Sequence, residues 1–528
     1  MTDNLTKTAL HATEILARAG GHVTAGQSTD FIITDITIDS RRCREDSLFV
    51  ALPGAHADGH DFVVDAAKNG AAAALVSRII EDSALQASGC IQILVGDSLQ
   101  ALGDLAVMGR IAHQLKGGRL VGITGSVGKT GSKEMLAHIL RRMGGCHANK
   151  ASFNNHVGVP LTLAALPADA PVAIQEMGMN APGEIADLSL MAGPDIAFIT
   201  RIADSHAGFF TSLAEIAAAK AEIFDGLCGL GVAVLNRDDE FFDDLSRRAK
   251  LAGAGRIISF GTGNDAEFCL LSNDTAQNSQ KIEADCAGIP LTFTLGMAAP
   301  HWALNALGIL AVIEALGLDV GEAANHLADF SDLPGRGAQH QGICEHQPVT
   351  LVDDSYNAGP ASMAAALSGL ADTPPDIIVL SDMLELGDGT AAAHDALVPL
   401  LTSLAPRDVI VLGPQMGQMA TALETACPAV TCHPANDSEQ ALSLLAGLIQ
   451  PHDRIFIKGS NGSGAHRIAN SLINELAPPP EDTTSHRHRR IGLQHPRAAS
   501  GGAIGCAARD GSQGVAGGDG ALVSCRRC

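Results

Sequence analysis

The densest chemistry in the chain lies in residues 121–130, Val-Gly-Ile-Thr-Gly-Ser-Val-Gly-Lys-Thr. A short apolar run ends in a glycine-rich turn, and Lys129 and Thr130 open an amphipathic segment over residues 133–142. Strand, loop and helix in that order turn successive backbone N–H groups inward on a phosphate, and the helix N-terminus adds partial positive charge. Thr124, Gly125, Ser126, Val127 and Gly128 would form the cradle. Lys129 would reach the outer phosphates, and the Thr130 hydroxyl would ligate Mg²⁺. Ile123 stands where the longer form of this loop has a glycine, so the motif is the short form Thr-Gly-x-x-Gly-Lys-Thr. A Gly-Lys-Thr by itself is common and can be a mere turn; its place between a strand and a helix favours a nucleotide.

Further reactive types fall at the ends of apolar runs. Residues 172–175 read as a strand that ends at Glu176, where a carboxylate beside a phosphate loop makes a second Mg²⁺ contact. Residues 195–200 read as a buried strand that runs toward His206, either a ligand or a satisfied polar residue. On the helix expected over residues 212–224, Leu213, Ile216, Lys220, Ile223 and Phe224 share one face. An unpaired ammonium in that stripe is costly. Lys220 therefore either snorkels to the surface, which the pattern alone favours, or has a partner and a task. His301 and Asn305 are one turn apart on a helix beginning near Pro300. Ser40 and Arg41 at a strand end offer a fork for phosphate, although Arg41-Arg42 also reads as a solvated pair.

Positioning these groups takes several elements. The 528 residues suit about three domains of ~150 residues each. Hydrophobic residues make up 46% and aromatics only 3%, so the cores must be Ala, Val, Leu and Ile, which suits parallel α/β layers. Residues 1–105 show strands near 36–41, 47–52, 71–76 and 91–95. Residues 106–334 carry the loop and a β-meander over 265–295. Residues 335–477 repeat strand and helix after the punctuation at Leu333-Pro334-Gly335-Arg336-Gly337. Residues 478–528 open with three prolines, continue through a His/Arg cluster and end in Gly/Ala/Ser, so a disordered tail is expected. The formal charge of −23 excludes a general nucleic-acid binder and a protein held on anionic membranes. Neither a signal segment nor a membrane span is legible, so a cytoplasmic protein is expected. The 12 cysteines then read as buried small hydrophobes, and Cys525 and Cys528 lack a second pair for zinc.

Taken in order, the motifs resemble the Mur ligases, ATP-dependent amide-forming enzymes of bacterial cell-wall synthesis, over about residues 30–465. The resemblance rests on the short loop 124–130, Glu176-Met177-Gly178, His206, Ala219-Lys220-Ala221-Glu222-Ile223, His301-x-x-x-Asn305 and Gly335-Arg336. Within the family, Asp353-Asp354-Ser355-Tyr356-Asn357-Ala358-Gly359-Pro360, the run from Asn154-Asn155-His156 to Leu163, and Asp39-Ser40-Arg41 resemble one branch. That branch adds D-alanyl-D-alanine to UDP-N-acetylmuramoyl-tripeptide through an acyl phosphate.

The resemblance implies a small α/β UDP-sugar domain over 1–105, a central P-loop-type ATPase domain with a mostly parallel sheet over 106–334, and a Rossmann-like ligase domain over 335–477. It implies ATP and Mg²⁺, with Thr130, Glu176, His206 and Lys220, the last as a carbamate, around the metal. Lys129, Lys220, His206 and Glu176 would be catalytic, and Asn305, Arg336 and Asp354 would join loop residues 124–130 around ATP. Ser40, Arg41, Asn154, Asn155, Tyr356, Asn357 and Lys458 would face the substrates, and a monomer is expected.

Gly131, Trp302 and Asn461 depart from the family's usual residues, Trp302 beside the adenine position. The rival readings are another Mur-type or folylpolyglutamate-synthase-like ligase and a non-catalytic nucleotide-binding relative. Because the tail lacks an apolar period, removing residues 480–528 is expected to leave the melting temperature and ligase activity nearly unchanged. Thermal melting and turnover of the truncated chain check this, and a large loss of either would show that the tail packs on the body.

Overall fold

The computed structural model describes residues 10–23, 30–54, 57–149, 153–203, 210, 212–276, 279–331, 333–384 and 386–477. His206, Cys525, Cys528 and the expected tail lie outside the described residues. The described chain is α/β, built on three sheets and a two-stranded ribbon of Leu10–His11 with Ile32–Ile33.

In the first sheet the strands lie in the order His22–Val23, Ile91–Leu94, Ala71–Val76, Ser47–Val50, Asp35–Thr37, all parallel except the first. The strand expected to reach Arg41 stops at Thr37, and Ser40–Arg42 is a 3-10 turn. Short polar side chains cause this. Thr37 Oγ1 accepts from Asp39 N–H at 3.1 Å, and Asp39 Oδ1 accepts from Arg41 N–H at 3.1 Å. Such local bonds offer the backbone a turn in place of the ladder.

The central sheet has nine strands. From one edge they run His147–Ala148, Val172–Glu176, Arg119–Thr124, Ile196–Ile199, Val232–Asn236, Arg256–Gly261, Phe268–Ala276, Ser279–Cys286, Ile289–Leu295. The first seven are mutually parallel, and the last two extend them as the antiparallel meander expected from the alternation in 265–295. Arg119–Thr124 is buried along nearly its whole length because helices cover both faces, which is why its sequence reads as an unbroken apolar run. After the short edge strand His147–Ala148, the two strands that follow in sequence, Val172–Glu176 and Ile196–Ile199, flank it on opposite sides. The order therefore reverses at Arg119–Thr124, and such a reversal opens a crevice at the strands' C-terminal ends. Thr124, Glu176 and Ile199 all end there.

The third sheet runs Ala338–Cys344, Gln347–Asp354, Arg454–Lys458, Ile377–Ser381, Asp408–Leu412, Thr431–Ala435, with only the first strand antiparallel. Separate apolar layers cover its two faces, one around Met363, Leu401 and Met416, the other around Ala441, Leu445 and Ile468. Asp354 and Lys458 are paired in register at the C-terminal ends of adjacent strands.

The helix Ser98–Leu115 runs unbroken across residues 105 and 106 and packs on the helix Gly158–Ala164. The contact is close: a Cβ on Gly109 would stand 2.2 Å from the Leu163 carbonyl oxygen. Among the described residues no helix is long and apolar enough to cross a membrane.

Candidate active site

The loop after Arg119–Thr124 is tied down from the neighbouring strand. Thr124 Oγ1 donates to the Met177 carbonyl at 2.9 Å, and Ser126 N–H donates to the Arg201 carbonyl at 2.8 Å. Thr200 Oγ1 donates to the Val127 carbonyl at 2.6 Å. Gly125 and Gly128 have φ of 143° and 85°, the left-handed region where a side chain is strained. Gly125 also has no room, since a Cβ would lie 2.0 Å from Thr200 Oγ1. The loop opens the helix Lys129–Met143 at Lys129, one turn longer at its start than the amphipathic run alone indicates. Lys129 Nζ curls over the loop and donates to the Gly125 carbonyl at 2.6 Å. Burial holds its amine below the ordinary lysine value, opposed by Glu176 and reinforced by Arg336. The Ser126 hydroxyl is buried without a partner, as a polar group in an anion cradle would be.

Glu176 is the hub of the site. It is 1% exposed. Oε2 accepts from Thr130 Oγ1 at 2.8 Å and Oε1 from Asn154 Nδ2 at 2.8 Å. The Asn154 carbonyl also accepts from Gly178 N–H at 2.7 Å, which fixes its loop against the end of Val172–Glu176. Asn155 turns away: its Oδ1 accepts from Gly158 N–H at 2.9 Å and caps the helix Gly158–Ala164.

Lys220 does not snorkel. The helix Leu213–Ala221 buries it completely, and among the described residues its Nζ has no hydrogen-bond partner. Ala217, Ala219 and Ala221 beside it are buried as well, so this part of the helix is covered and the stem does not reach water. Burial lowers the amine well below the ordinary lysine value, and the neighbouring Lys129 charge lowers it further against Glu222, Glu176 and Glu184. Glu222, in the 3-10 turn that follows, accepts from Gly183 N–H at 2.8 Å and Ala186 N–H at 3.2 Å, so it serves the start of the earlier helix Glu184–Ala192.

The third sheet contributes from the strand end after Gln347–Asp354. The Arg336 guanidinium stacks on the Tyr356 ring, 4.1 Å from its centroid. Burial raises the Tyr356 phenol, the Arg336 charge pulls it down and Glu176 raises it. Lys458 Nζ, buried, donates to Asp354 Oδ2 at 2.7 Å and to the Asn357 carbonyl at 3.0 Å. Burial raises the Asp354 carboxyl while Lys458 opposes the shift. Asp353, its neighbour in sequence, points the other way and binds Gly335 N–H and Ser355 N–H. In the first sheet Ser40 is buried, and Arg41 forks onto Asp39 with both bonds at 2.9 Å while remaining 86% exposed.

Among the described residues no group of three His, Cys, Asp or Glu side chains gathers to hold a metal. The expected set differs in kind: the Thr130 hydroxyl, the Glu176 carboxylate and the Lys220 nitrogen, with His206 outside the described residues. An ammonium at Lys220 does not suit a cation site. A neutral amine converted to a carbamate does, and the orphaned, desolvated nitrogen fits that conversion.

Sequence reasoning passed over Thr200, whose hydroxyl ties down the loop, and the seat of Trp302. The signal for Thr200 was its place at the strand end beside the glycine turn. Trp302 is buried against Gly131, so two of the three departures from the family pattern meet at one contact. Asn305, on the same helix His301–Ala315, leans on Gly128.

Three stretches match family descriptions: residues 32–109 the Mur ligase family, catalytic domain; 123–313 the Mur ligase middle domain; and 340–461 the Mur ligase, glutamate ligase domain. The chain belongs to the Mur ligase family. It is 32% identical to UDP-N-acetylmuramoyl-tripeptide–D-alanyl-D-alanine ligase of Rickettsia prowazekii, over 82% of this chain and 94% of that one. Its structure is similar to MurF from Acinetobacter baumannii, with a TM-score of 0.76 and 27% identity, covering 89% of this chain and 100% of that one. MurF from Thermotoga maritima in complex with ADP is similar at a TM-score of 0.67 and 26% identity, covering 84% and 97%.

Because Asn154 supplies one of the two side-chain bonds to Glu176, Asn154→Ala is expected to lower ligase turnover about tenfold or more. A hydrogen bond to a charged acceptor contributes roughly 1.5–3 kcal/mol. Steady-state kinetics with a melting curve check it, and unchanged turnover in a folded variant contradicts the role.

Proposed function

We propose that this protein joins D-alanyl-D-alanine to UDP-N-acetylmuramoyl-tripeptide at the expense of ATP, as a cytoplasmic monomer in peptidoglycan precursor synthesis. The site observation that carries the reading is the gathering of Lys129, Thr130, Glu176 and the unpartnered Lys220 amine at the reversal of the central sheet. The choice of acceptor is supported by the shared name of relatives that this chain spans nearly end to end.

The division of labour follows the three sheets. Residues 1–105 take the UDP-sugar, with Ser40 and Arg41 at the diphosphate. Arg41 spends two of its five N–H groups on Asp39 and presents the rest to solvent. Residues 106–334 bind ATP through loop 124–130 and Asn305. Residues 335–477 bring the dipeptide, and Arg336 and Asp354 face the nucleotide. Lys458 holds Asp354 and the Asn357 carbonyl, which shapes the Tyr356-Asn357 turn toward the substrates.

A substrate carboxylate oxygen attacks the γ-phosphorus of ATP, ADP leaves, and an acyl phosphate remains. The dipeptide amine then attacks the acyl carbon and phosphate departs. The protein's part is positioning and charge: backbone N–H groups and Lys129 hold the phosphates, and Asn154 and Thr130 orient Glu176. Mg²⁺, held by Thr130, Glu176, His206 and carbamylated Lys220, would supply neutralising charge at the phosphates. The Lys220 carbamate forms when the neutral amine bonds to the carbon of CO₂ and releases a proton.

Purified protein is expected to release phosphate only with ATP, Mg²⁺, UDP-N-acetylmuramoyl-tripeptide and D-alanyl-D-alanine together. Equal turnover with a single amino acid in place of the dipeptide would sink the acceptor assignment. Lys220→Ala is expected to fold yet lose most turnover, and short carboxylic acids should restore part of it by occupying the vacated space. Lys220→Arg should resist rescue, since a fixed cation fills that space. Near-normal turnover of Lys220→Ala would rule out the role.

A further inference from the structure

The one tryptophan of the chain packs on the first turn of the phosphate-loop helix. Trp302 is 4% exposed. A Cβ on Gly131, the residue after Thr130, would lie 2.3 Å from Trp302 Cη2 and 2.5 Å from Cζ3. Three residues along each helix the pattern repeats, because a Cβ on Gly128 would lie 3.2 Å from Asn305 Oδ1. Residues 128 and 131 share one face, as do 302 and 305, so each glycine receives a side chain from the facing helix. Trp302 is itself steadied by Phe330, edge-on with ring centroids 6.0 Å apart, and by the tilted His301 ring at 5.2 Å.

We infer that Trp302 is a positioning residue for the nucleotide: by filling the space over Gly131 it fixes the turn that carries Lys129 and Thr130. A glycine inside a helix leaves its turn loosely held. Here the absent side chain admits a broad, rigid indole in its place, and that plate constrains the turn from outside. An ordinary core tryptophan would support stability alone. Trp302 differs in its contact, which is with the backbone between the phosphate-binding lysine and the body of its helix. The inference rests on the reading of loop 124–130 as the ATP site.

The test is a double-mutant cycle with Gly131→Ala, Trp302→Leu and both together. The readouts are the Kd of a fluorescent ATP analogue with Mg²⁺, the KM for ATP, the KM for D-alanyl-D-alanine and the Tm. Each single change is expected to weaken nucleotide binding by about tenfold while the KM for the dipeptide stays within about twofold. The double variant should bind nucleotide better than Gly131→Ala alone, because leucine vacates the space that the new methyl needs. Trp302→Phe, which keeps an aromatic plate, should lie between wild type and Trp302→Leu and serves if Gly131→Ala does not fold. Strictly additive effects, or a Trp302→Leu or Trp302→Phe variant that loses Tm with an unchanged nucleotide Kd, would overturn the inference. Failure of the wild-type chain to bind the analogue would overturn the loop assignment itself, a result distinct from additive variants of a chain that binds.

Discussion

A lysine nitrogen taken wholly out of water and given no hydrogen-bond partner is the constraint around which this site is arranged. The close alanine packing of Leu213–Ala221 puts Lys220 there, and the nearby Lys129 makes the charged form still less favourable. An isolated buried ammonium costs far more than a helix can repay, so such a group sheds its proton or acquires a different charge. Its acidic neighbours do not form a pair with it. Glu222 is committed to the backbone at the start of Glu184–Ala192, and Glu176 to Thr130 and Asn154. The carbamate proposed for Lys220 would replace that unfavourable cation with an anion able to face a metal.

Everything else at the site can be traced to the sheet edge beneath it. The reversal of strand order at Arg119–Thr124 brings the ends of Val172–Glu176 and Ile196–Ile199 to the two sides of the phosphate loop. One neighbour supplies Glu176, and the other supplies Thr200, whose hydroxyl pins the loop. The third sheet repeats this logic at its own strand ends. Asp353 and Asp354 alternate in direction along one strand, so one carboxylate fixes the turn at Gly335 while the other meets Lys458. The same turn carries Arg336 onto the face of Tyr356. Substrate positioning in a three-substrate ligase needs this kind of rigid edge more than it needs a protein nucleophile.

Much of the architecture was legible because the buried parallel strands are unbroken apolar runs and the meander alternates. The strand, glycine turn and helix from Arg119 to Met143 were legible because glycine, lysine and threonine at that spacing have a local physical reason. Lys220 was legible only as an oddity: periodicity placed it on the apolar face, yet periodicity cannot say whether a long stem finds a way out, and the packing of its alanine neighbours decided that. The turn at Ser40–Arg42 was misread as strand because Asp39 and Thr37 compete for backbone groups through side-chain bonds that a hydrophobic pattern does not register. The meeting of Trp302 with Gly131 is a contact between residues far apart in sequence, and neither residue alone announces it.

The most direct test of the central claim is carbon-13 NMR of the full-length protein equilibrated with ¹³C-bicarbonate. The account predicts one protected carbamate resonance that disappears in Lys220→Ala and persists in Asn154→Ala. A wild-type spectrum without that resonance, or one that Lys220→Ala leaves unchanged, would contradict it.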